Sequence, residues 1–215
     1  MKLKHLESEL SGAEVFNRPK IELEQIPTSA HIAACMIHNA AQNDDISERM
    51  IGDFGVGTGI LSMAASLMGS HYGIGVDVDQ DALEIARRNF DKFDIDNVDL
   101  LYSDVQTLSI NPGWFNMIHI FWIDTVVMNP PFGTRNAGVD TAFLQKAMDV
   151  SRNASVVYSL HKTSTRDHFV RLSRSSEWSM EVVAEVRYEI KKTFKHHKDK
   201  SRDVEVDIYR FTHTV

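Results

Sequence analysis

Two hydrophobic rhythms alternate along this chain. Short apolar runs bounded by glycines or acids read as buried strands, and apolar residues recurring at i, i+3, i+4 and i+7 read as helices. The helical pattern covers residues 3–14 and 29–42, the second carrying Ile32, Ala33, Met36, Ile37 and Ala40 on one face. From residue 50 the two patterns alternate. Strands are expected at 50–54, 72–78, 98–102, 123–128 and 155–160, and helices at 59–68, 81–93, 141–152 and 165–176. Residues 181–190 and 204–211 alternate at period two and are close enough to pair as a terminal antiparallel hairpin. Repeated strand–helix units imply a mostly parallel sheet with helices on both faces, joined by right-handed crossovers. The expected fold is therefore α/β: a Rossmann-like, seven-stranded sheet closed by an antiparallel hairpin. One domain is expected to take all 215 residues, with 1–48 as a helical cap on a core at 49–215.

Composition narrows the class. Apolar residues at 43% and charged residues at 25% are ordinary globular values and exclude a disordered or fibrous chain. A single cysteine, Cys35, excludes an internal disulfide framework and a multi-cysteine zinc site. The first ten residues lack an apolar leader and no run of 18 apolar residues occurs, so an intracellular, soluble chain with no membrane partner is expected. The net charge of -7 is uneven: residues 1–151 hold 10 Lys and Arg against 21 Asp and Glu, whereas 152–202 hold 12 against 6. Such asymmetry points either to an anionic partner on one face or to solvated helix and loop surfaces.

In open α/β sheets the ligand lies beyond the carboxyl ends of the strands, and there the chemistry collects. Asp53-Phe54-Gly55-Val56-Gly57-Thr58-Gly59, followed by Ile60, ends the first strand and opens a helix. Glycines let the backbone approach a ligand closely while the helix start offers free N–H groups. Alone, this pattern fits a dinucleotide enzyme, a methyl-donor site or a tight turn. Asp77, twenty-two residues after Gly55 and followed by Val78, stands where a carboxylate grips a ribose diol. Asp104 and Val105 follow the third strand and suit the amine and ring of an adenine. Each acid could instead cap a helix, as Asp79 and Asp81 are expected to. The spacing D-x-G-x-G-x-G favours S-adenosylmethionine over NAD.

The fourth strand runs into Asn129-Pro130-Pro131-Phe132-Gly133, the most specific signal in the chain. The exocyclic amine of adenine is a poor nucleophile because its lone pair is delocalised into the ring. A carboxamide oxygen and a backbone carbonyl that accept both amine hydrogens localise that lone pair and aim it. Paired prolines hold the carbonyl rigidly, and the aromatic that follows gives an extruded base a stacking face. No strong base is needed, because the proton leaves after the nitrogen becomes cationic. The alternative is a proline-rich turn with Phe132 in the core.

The glycine loop and Asn129-Pro130-Pro131-Phe132 resemble those of N-methyltransferases acting on adenine, cytosine or glutamine amino groups. A wider string is more particular: Pro19-Lys20-Ile21-Glu22-Leu23-Glu24-Gln25 with Pro27-Thr28, Asp77-Val78-Asp79-Gln80-Asp81-Ala82-Leu83-Glu84, the Asn129 segment through Thr134, and Tyr158-Ser159-Leu160-His161-Lys162. Together these resemble the methyltransferase-like protein five family, over residues 3–212. The resemblance implies a class I methyltransferase fold, S-adenosylmethionine as cofactor, and formation of N6-methyladenosine in small-subunit (18S) ribosomal RNA. It further implies that Gln25, Thr28, Gly55, Thr58, Ile60, Asp77, Asp104 and Val105 contact the methyl donor while residues 129–132 hold the adenine. A small zinc-binding activator protein is implied as heterodimer partner along the sheet edge near the third strand, with residence in nucleus, nucleolus and cytoplasm. The chain departs from the family at Val56 and Thr58, where relatives often carry cysteines. Residues 112–122 look like an insertion, and with Trp114, Phe115, Met117, Ile118, Ile120, Phe121 and Trp122 they are too apolar for a free loop. That segment either packs on the domain, widens the partner interface or reflects a wrongly predicted exon boundary.

Between the last two strands, residues 191–202 hold six Lys and Arg against one Asp. Lys191, Lys192, Lys195, Lys198 and Lys200, with Phe194 and His196 interleaved, suit phosphates and a stacked base. His161 and Lys162, with Arg166, Arg171 and Arg174, follow the fifth strand and are expected to face the same end of the sheet. A solvated hairpin loop is the alternative. No thiol or carboxylate stands at ligand spacing from His196 and His197, so no metal site is expected. The expected activity is adenine-N6 methylation of an unpaired base in structured RNA. A DNA-adenine or protein-glutamine methyltransferase, or a non-catalytic RNA-binding scaffold, are the rivals.

Overall fold

A computed structural model of the chain describes residues 1–108, 123–151, 155–191 and 201–214. Helices α1 (Leu3–Leu10) and α2 (Ala30–Gln42) precede the sheet. There follow β1 (Met50–Phe54), α3 (Ile60–Leu67), β2 (Tyr72–Asp77), α4 (Gln80–Lys92) and β3 (Val98–Tyr102). The second half holds β4 (Thr125–Met128), α5 (Val139–Val150), β5 (Val156–Lys162), α6 (Arg166–Arg174), β6 (Trp178–Lys191) and β7 (Ser201–His213). The seven strands form one sheet in the order β3-β2-β1-β4-β5-β7-β6, parallel from β3 to β5 and antiparallel at β7 and β6. The mostly parallel α/β fold with a terminal hairpin is thus present.

Strand burial explains why the central runs are apolar without alternation. Every residue of β1 and β4 is buried, because helices cover both faces. Side chains alternate across the sheet, so Val127, Val156 and Tyr158 join a core with α1, α2, α3 and α4, while Val126, Met128 and Val157 join Phe143 of α5 and Phe169 of α6 on the other side. Leu6, Leu10, Met36 and Ile37 belong to the first core, so the N-terminal helices extend one of the two helical layers.

Most element boundaries shift by a residue or two from expectation, and three of the differences have a visible cause. α1 ends at Leu10, where the hydroxyl of Ser11 donates to the carbonyl of Glu7, and Lys92 of α4 donates to the carbonyl of Gly12 (2.8 Å). α4 starts earlier: Asp79 caps it by accepting from the N–H of Asp81, so Asp81 sits in the first turn rather than capping it. The hairpin is longer than its period-two core. β5 pairs with β7 only as far as Lys162 opposite Val206, whereas β6 and β7 pair on to Lys191 opposite Ser201. The hairpin stalk therefore projects beyond the carboxyl end of β5.

Candidate active site

Strand order reverses between β1 and β4, since the chain from β1 proceeds to β2 on one side and β4 lies on the other. A crevice opens at such a point beyond the strand ends. Here it is a cavity of about 290 Å³, lined by Gly55, Gly57, Thr58 and Ile60 after β1, Asp77 at the end of β2 with Val78 after it, and Asp104 and Val105 after β3. Asn129, Pro130, Pro131 and Phe132, after β4, line the same cavity. The outer wall is a strap that leaves α1, crosses α4 and returns to α2, contributing Phe16 and residues 22–28.

The glycine loop needs its glycines for backbone reasons: Gly55 and Gly57 have φ of +76° and +54°. Asp77 holds that loop as well as facing the cavity. One carboxylate oxygen accepts from the N–H of Gly57 (2.9 Å) and the other from the N–H of Asp79 (2.9 Å). Burial raises the Asp77 carboxyl above its ordinary range, and those backbone donors oppose the shift. Asp104 caps the short turn Val105–Thr107 by accepting from the N–H of Gln106 (2.9 Å). A carboxylate at the second strand end, with Ile60, Val78 and Val105 as apolar flanks, fits a nucleoside.

Two expected donor contacts lie elsewhere. Asp53 is 1% exposed and does not line the cavity. Its Oδ2 accepts from the N–H (3.0 Å) and hydroxyl (2.7 Å) of Ser62, while its Oδ1 has no hydrogen-bond partner among the described residues. Desolvation pushes its carboxyl up to about 7. Gly59 is also outside the cavity: a Cβ there would stand 2.6 Å from the ring of Phe90, so its task is to let α3 close on α4. Gln25 does line the cavity, yet both ends of its amide are engaged, Nε2 donating to Asp79 (2.6 Å) and Oε1 accepting from the N–H of Lys20 (2.7 Å).

The ties of the strap went unread in the sequence. Lys20 Nζ bridges Asp79 Oδ1 (2.6 Å) and Asp81 Oδ2 (2.7 Å). Asn89, a 1%-exposed residue of α4, accepts from the N–H of Glu14 and donates to the carbonyls of Glu14 and Thr58. Glu24 adopts a left-handed conformation (φ +51°), and its carboxylate accepts from the N–H groups of Thr134 (3.1 Å) and Arg135 (2.7 Å). The strap thus joins the loop after β2 to the loop after β4.

At the acceptor end, Asn129 Nδ2 donates to Thr28 Oγ1 (2.9 Å) and lies 3.4 Å from the hydroxyl of Tyr188, which comes from β6. Thr28 therefore faces the acceptor loop with its hydroxyl, where a donor contact was expected. Phe132 is 7% exposed and meets Tyr188 edge-on, ring centroids 6.3 Å apart. Lys162 Nζ stands 5.8 Å from the centroid of Phe132, a cation–π distance.

The expected RNA contacts divide. Arg166 is not a free cation: Nε and Nη2 grip both oxygens of Asp207 at 2.7 and 2.8 Å, and Nη2 also reaches Glu185 at 2.7 Å. A bidentate guanidinium–carboxylate pair of that kind is structural. Arg171 and Arg174 occupy the last turn of α6, which runs back toward Trp178 and away from the cavity. His161 is fully buried and burial pushes it down to about 3, so it is neutral. Lys192, Phe194, Lys195, His196, Lys198 and Lys200 lie outside the described residues, as does the 112–122 segment, and Lys191 is described by its backbone alone.

Comparison with known proteins settles the family. The rRNA N(6)-adenosine-methyltransferase METTL5 of Danio rerio is 47% identical over 218 residues, covering 100% of both chains. Its Drosophila melanogaster counterpart is 45% identical, covering 98% of this chain and 96% of its own. The chain belongs to the METTL5 family. The METTL5 match includes the strap and the terminal hairpin, whereas the family model for ribosomal protein L11 methyltransferase (PrmA) matches residues 28–116 and stops before the acceptor loop. A Pyrococcus horikoshii protein of known crystal structure, 30% identical, superimposes with a TM-score of 0.84 over 100% of this chain and 99% of that one.

Proposed function

We propose that this chain transfers a methyl group from S-adenosylmethionine to N6 of an unpaired adenosine in ribosomal RNA, the small-subunit RNA being the target. The observation that carries the reading is that Asp77 and Asp104 share one cavity with Asn129, Pro130 and Phe132, in a chain of the METTL5 family. Bound there, S-adenosylmethionine supplies an electrophilic methyl group. Asp77 holds the ribose hydroxyls, and Asp104 with Val105 holds the adenine. Asn129 Oδ1 and the carbonyl of Pro130 accept the two hydrogens of the target amine, which leaves its lone pair directed at the donor. These acceptors gain strength as the nitrogen becomes cationic, so they favour the transition state over the ground state. Phe132 offers the extruded base a face, and Lys162 together with the basic residues 191–202 neutralises backbone phosphates.

A small zinc-binding activator is the proposed partner, docked on β3. Among the described residues that strand pairs only with β2, and Leu101 and Tyr102 are 43% and 64% exposed. An apolar edge of this kind offers both a free hydrogen-bonding ladder and area to bury. The test is methyl transfer from labelled donor to purified small-subunit RNA, with and without the activator, followed by digestion and mapping. N6-methyladenosine at one position, dependent on Asn129, is the expected result. Label in protein glutamine or in DNA alone would replace this reading with one of its rivals.

A further inference from the structure

The orientation of the Asn129 carboxamide is fixed by its neighbours, and the reason lies in one carbonyl. Tyr188 Oη stands 2.5 Å from the carbonyl oxygen of Pro27 and 3.3 Å from that of Ile26. A carbonyl only accepts, so the single phenolic proton of Tyr188 points at Pro27 and only lone pairs of Oη face Asn129. The group opposite those lone pairs must donate, which requires the NH₂ end of the carboxamide. Thr28 Oγ1 accepts from the same nitrogen at 2.9 Å. Both hydrogens of Nδ2 therefore have acceptors within the protein, and Oδ1 is the end left for a ligand. Burial raises the Tyr188 phenol further above its ordinary range, so it keeps its proton and this polarity at any working pH.

We propose that Tyr188 and Thr28 are positioning residues that fix Asn129 as an acceptor and so make the pocket select a base carrying an exocyclic amine over one carrying a carbonyl. The inference rests on the proposed adenosine-N6 reading and extends it. With Oδ1 and the Pro130 carbonyl both accepting, an –NH₂ group satisfies the pocket. A 6-oxo base would set oxygen against oxygen, leaving buried acceptors unpaired. If the carboxamide were free to turn by 180°, its NH₂ would donate to that oxygen and the discrimination would fall. A mere packing role for Tyr188 has no such consequence.

The experiment compares the parent with Tyr188→Phe, Thr28→Val, Thr28→Ser, Asn129→Ala and the double variant Asn129→Ala/Tyr188→Phe. Each is assayed with target RNA carrying adenosine or inosine at the modified position. A parent that does not methylate adenosine, or an Asn129→Ala variant at the parent rate, would sink the underlying reading and not only this inference. If the parent behaves as proposed, Tyr188→Phe and Thr28→Val should each lower kcat at least tenfold with the donor KM within about twofold, and Thr28→Ser should keep the parent rate. Tyr188→Phe should add nothing in the Asn129→Ala background, since no carboxamide remains to orient. The preference for adenosine-containing over inosine-containing RNA in competition binding should shrink at least fivefold in Tyr188→Phe. An undiminished preference, or a loss in the double variant equal to the product of the single losses, overturns the proposal. Should Tyr188→Phe fail to fold, Thr28→Val against Thr28→Ser decides the same question through the other hydroxyl.

Discussion

Asp53 opens the first strand end yet serves the fold and not the ligand, and pH exposes the difference. Its carboxyl is raised to about 7 in the folded chain by burial, against roughly 3.9 when unfolded. Between those values the folded state holds more protons than the unfolded one, so stability falls as pH rises through the window and stays lower above it. Asp53→Asn imitates the neutral acid: its oxygen still accepts from Ser62, and its nitrogen takes the place of the unpartnered Oδ1. The variant should melt within a few degrees of the parent at pH 5 and distinctly above it at pH 8.5, about 2–4 °C for each kcal/mol. A gap that does not widen between these pH values removes Asp53 as its source. At this scale the sequence was half legible. Asp77 and Asn129 could be found because one ends a strand and the other directly follows one. Asn89 could not, since an asparagine on a charged helix gives no sign of being 1% exposed with three hydrogen bonds. Arg166 misled because its partner Asp207 is 41 residues away.

Among the elements, β3 is the one whose chemistry is unfinished. Leu101 and Tyr102 present apolar area beside an edge that is unpaired among the described residues, and Val78 at the neighbouring strand end is 47% exposed. If the activator pairs there, Leu101→Asp should abolish co-purification of the two chains while the isolated variant becomes more soluble than the parent. Retention of the complex by gel filtration would place the partner on another surface. The parallel strands were legible because burial on both faces makes each a continuous apolar run. The hairpin was legible in kind but short in length, since β6 begins at Trp178 and β7 runs from Ser201 to His213, beyond the stretches that alternate at period two. α1 was read too long because residues 11–14 fit a helical count, whereas the helix ends at the Ser11 cap and Asn89 draws Glu14 out across α4.

Taken as a whole, the molecule assembles its site from both ends of the chain: the strap supplies the outer wall, and β6, near the other terminus, supplies Tyr188. No local pattern encodes a contact between Pro27 and Tyr188, 161 residues apart, which is why the acceptor could be read and its orienting hydroxyls could not. The strap has a further consequence. It is held by charge as well as by hydrogen bonds, with Lys20 at 37% side-chain exposure between Asp79 and Asp81. If exchange of spent donor for fresh requires that wall to lift, dissolved ions assist it by screening the attraction that keeps the strap down. The same ions weaken the grip of a polycation on RNA, steeply and in proportion to the phosphates engaged. On the proposed function, ionic strength would then act on turnover twice, with opposite signs. Multiple-turnover rate at saturating donor should pass through a maximum at intermediate salt, whereas a single-turnover experiment with preloaded donor should only decline. Lys20→Met should move the maximum toward lower salt, the wall having been loosened in advance.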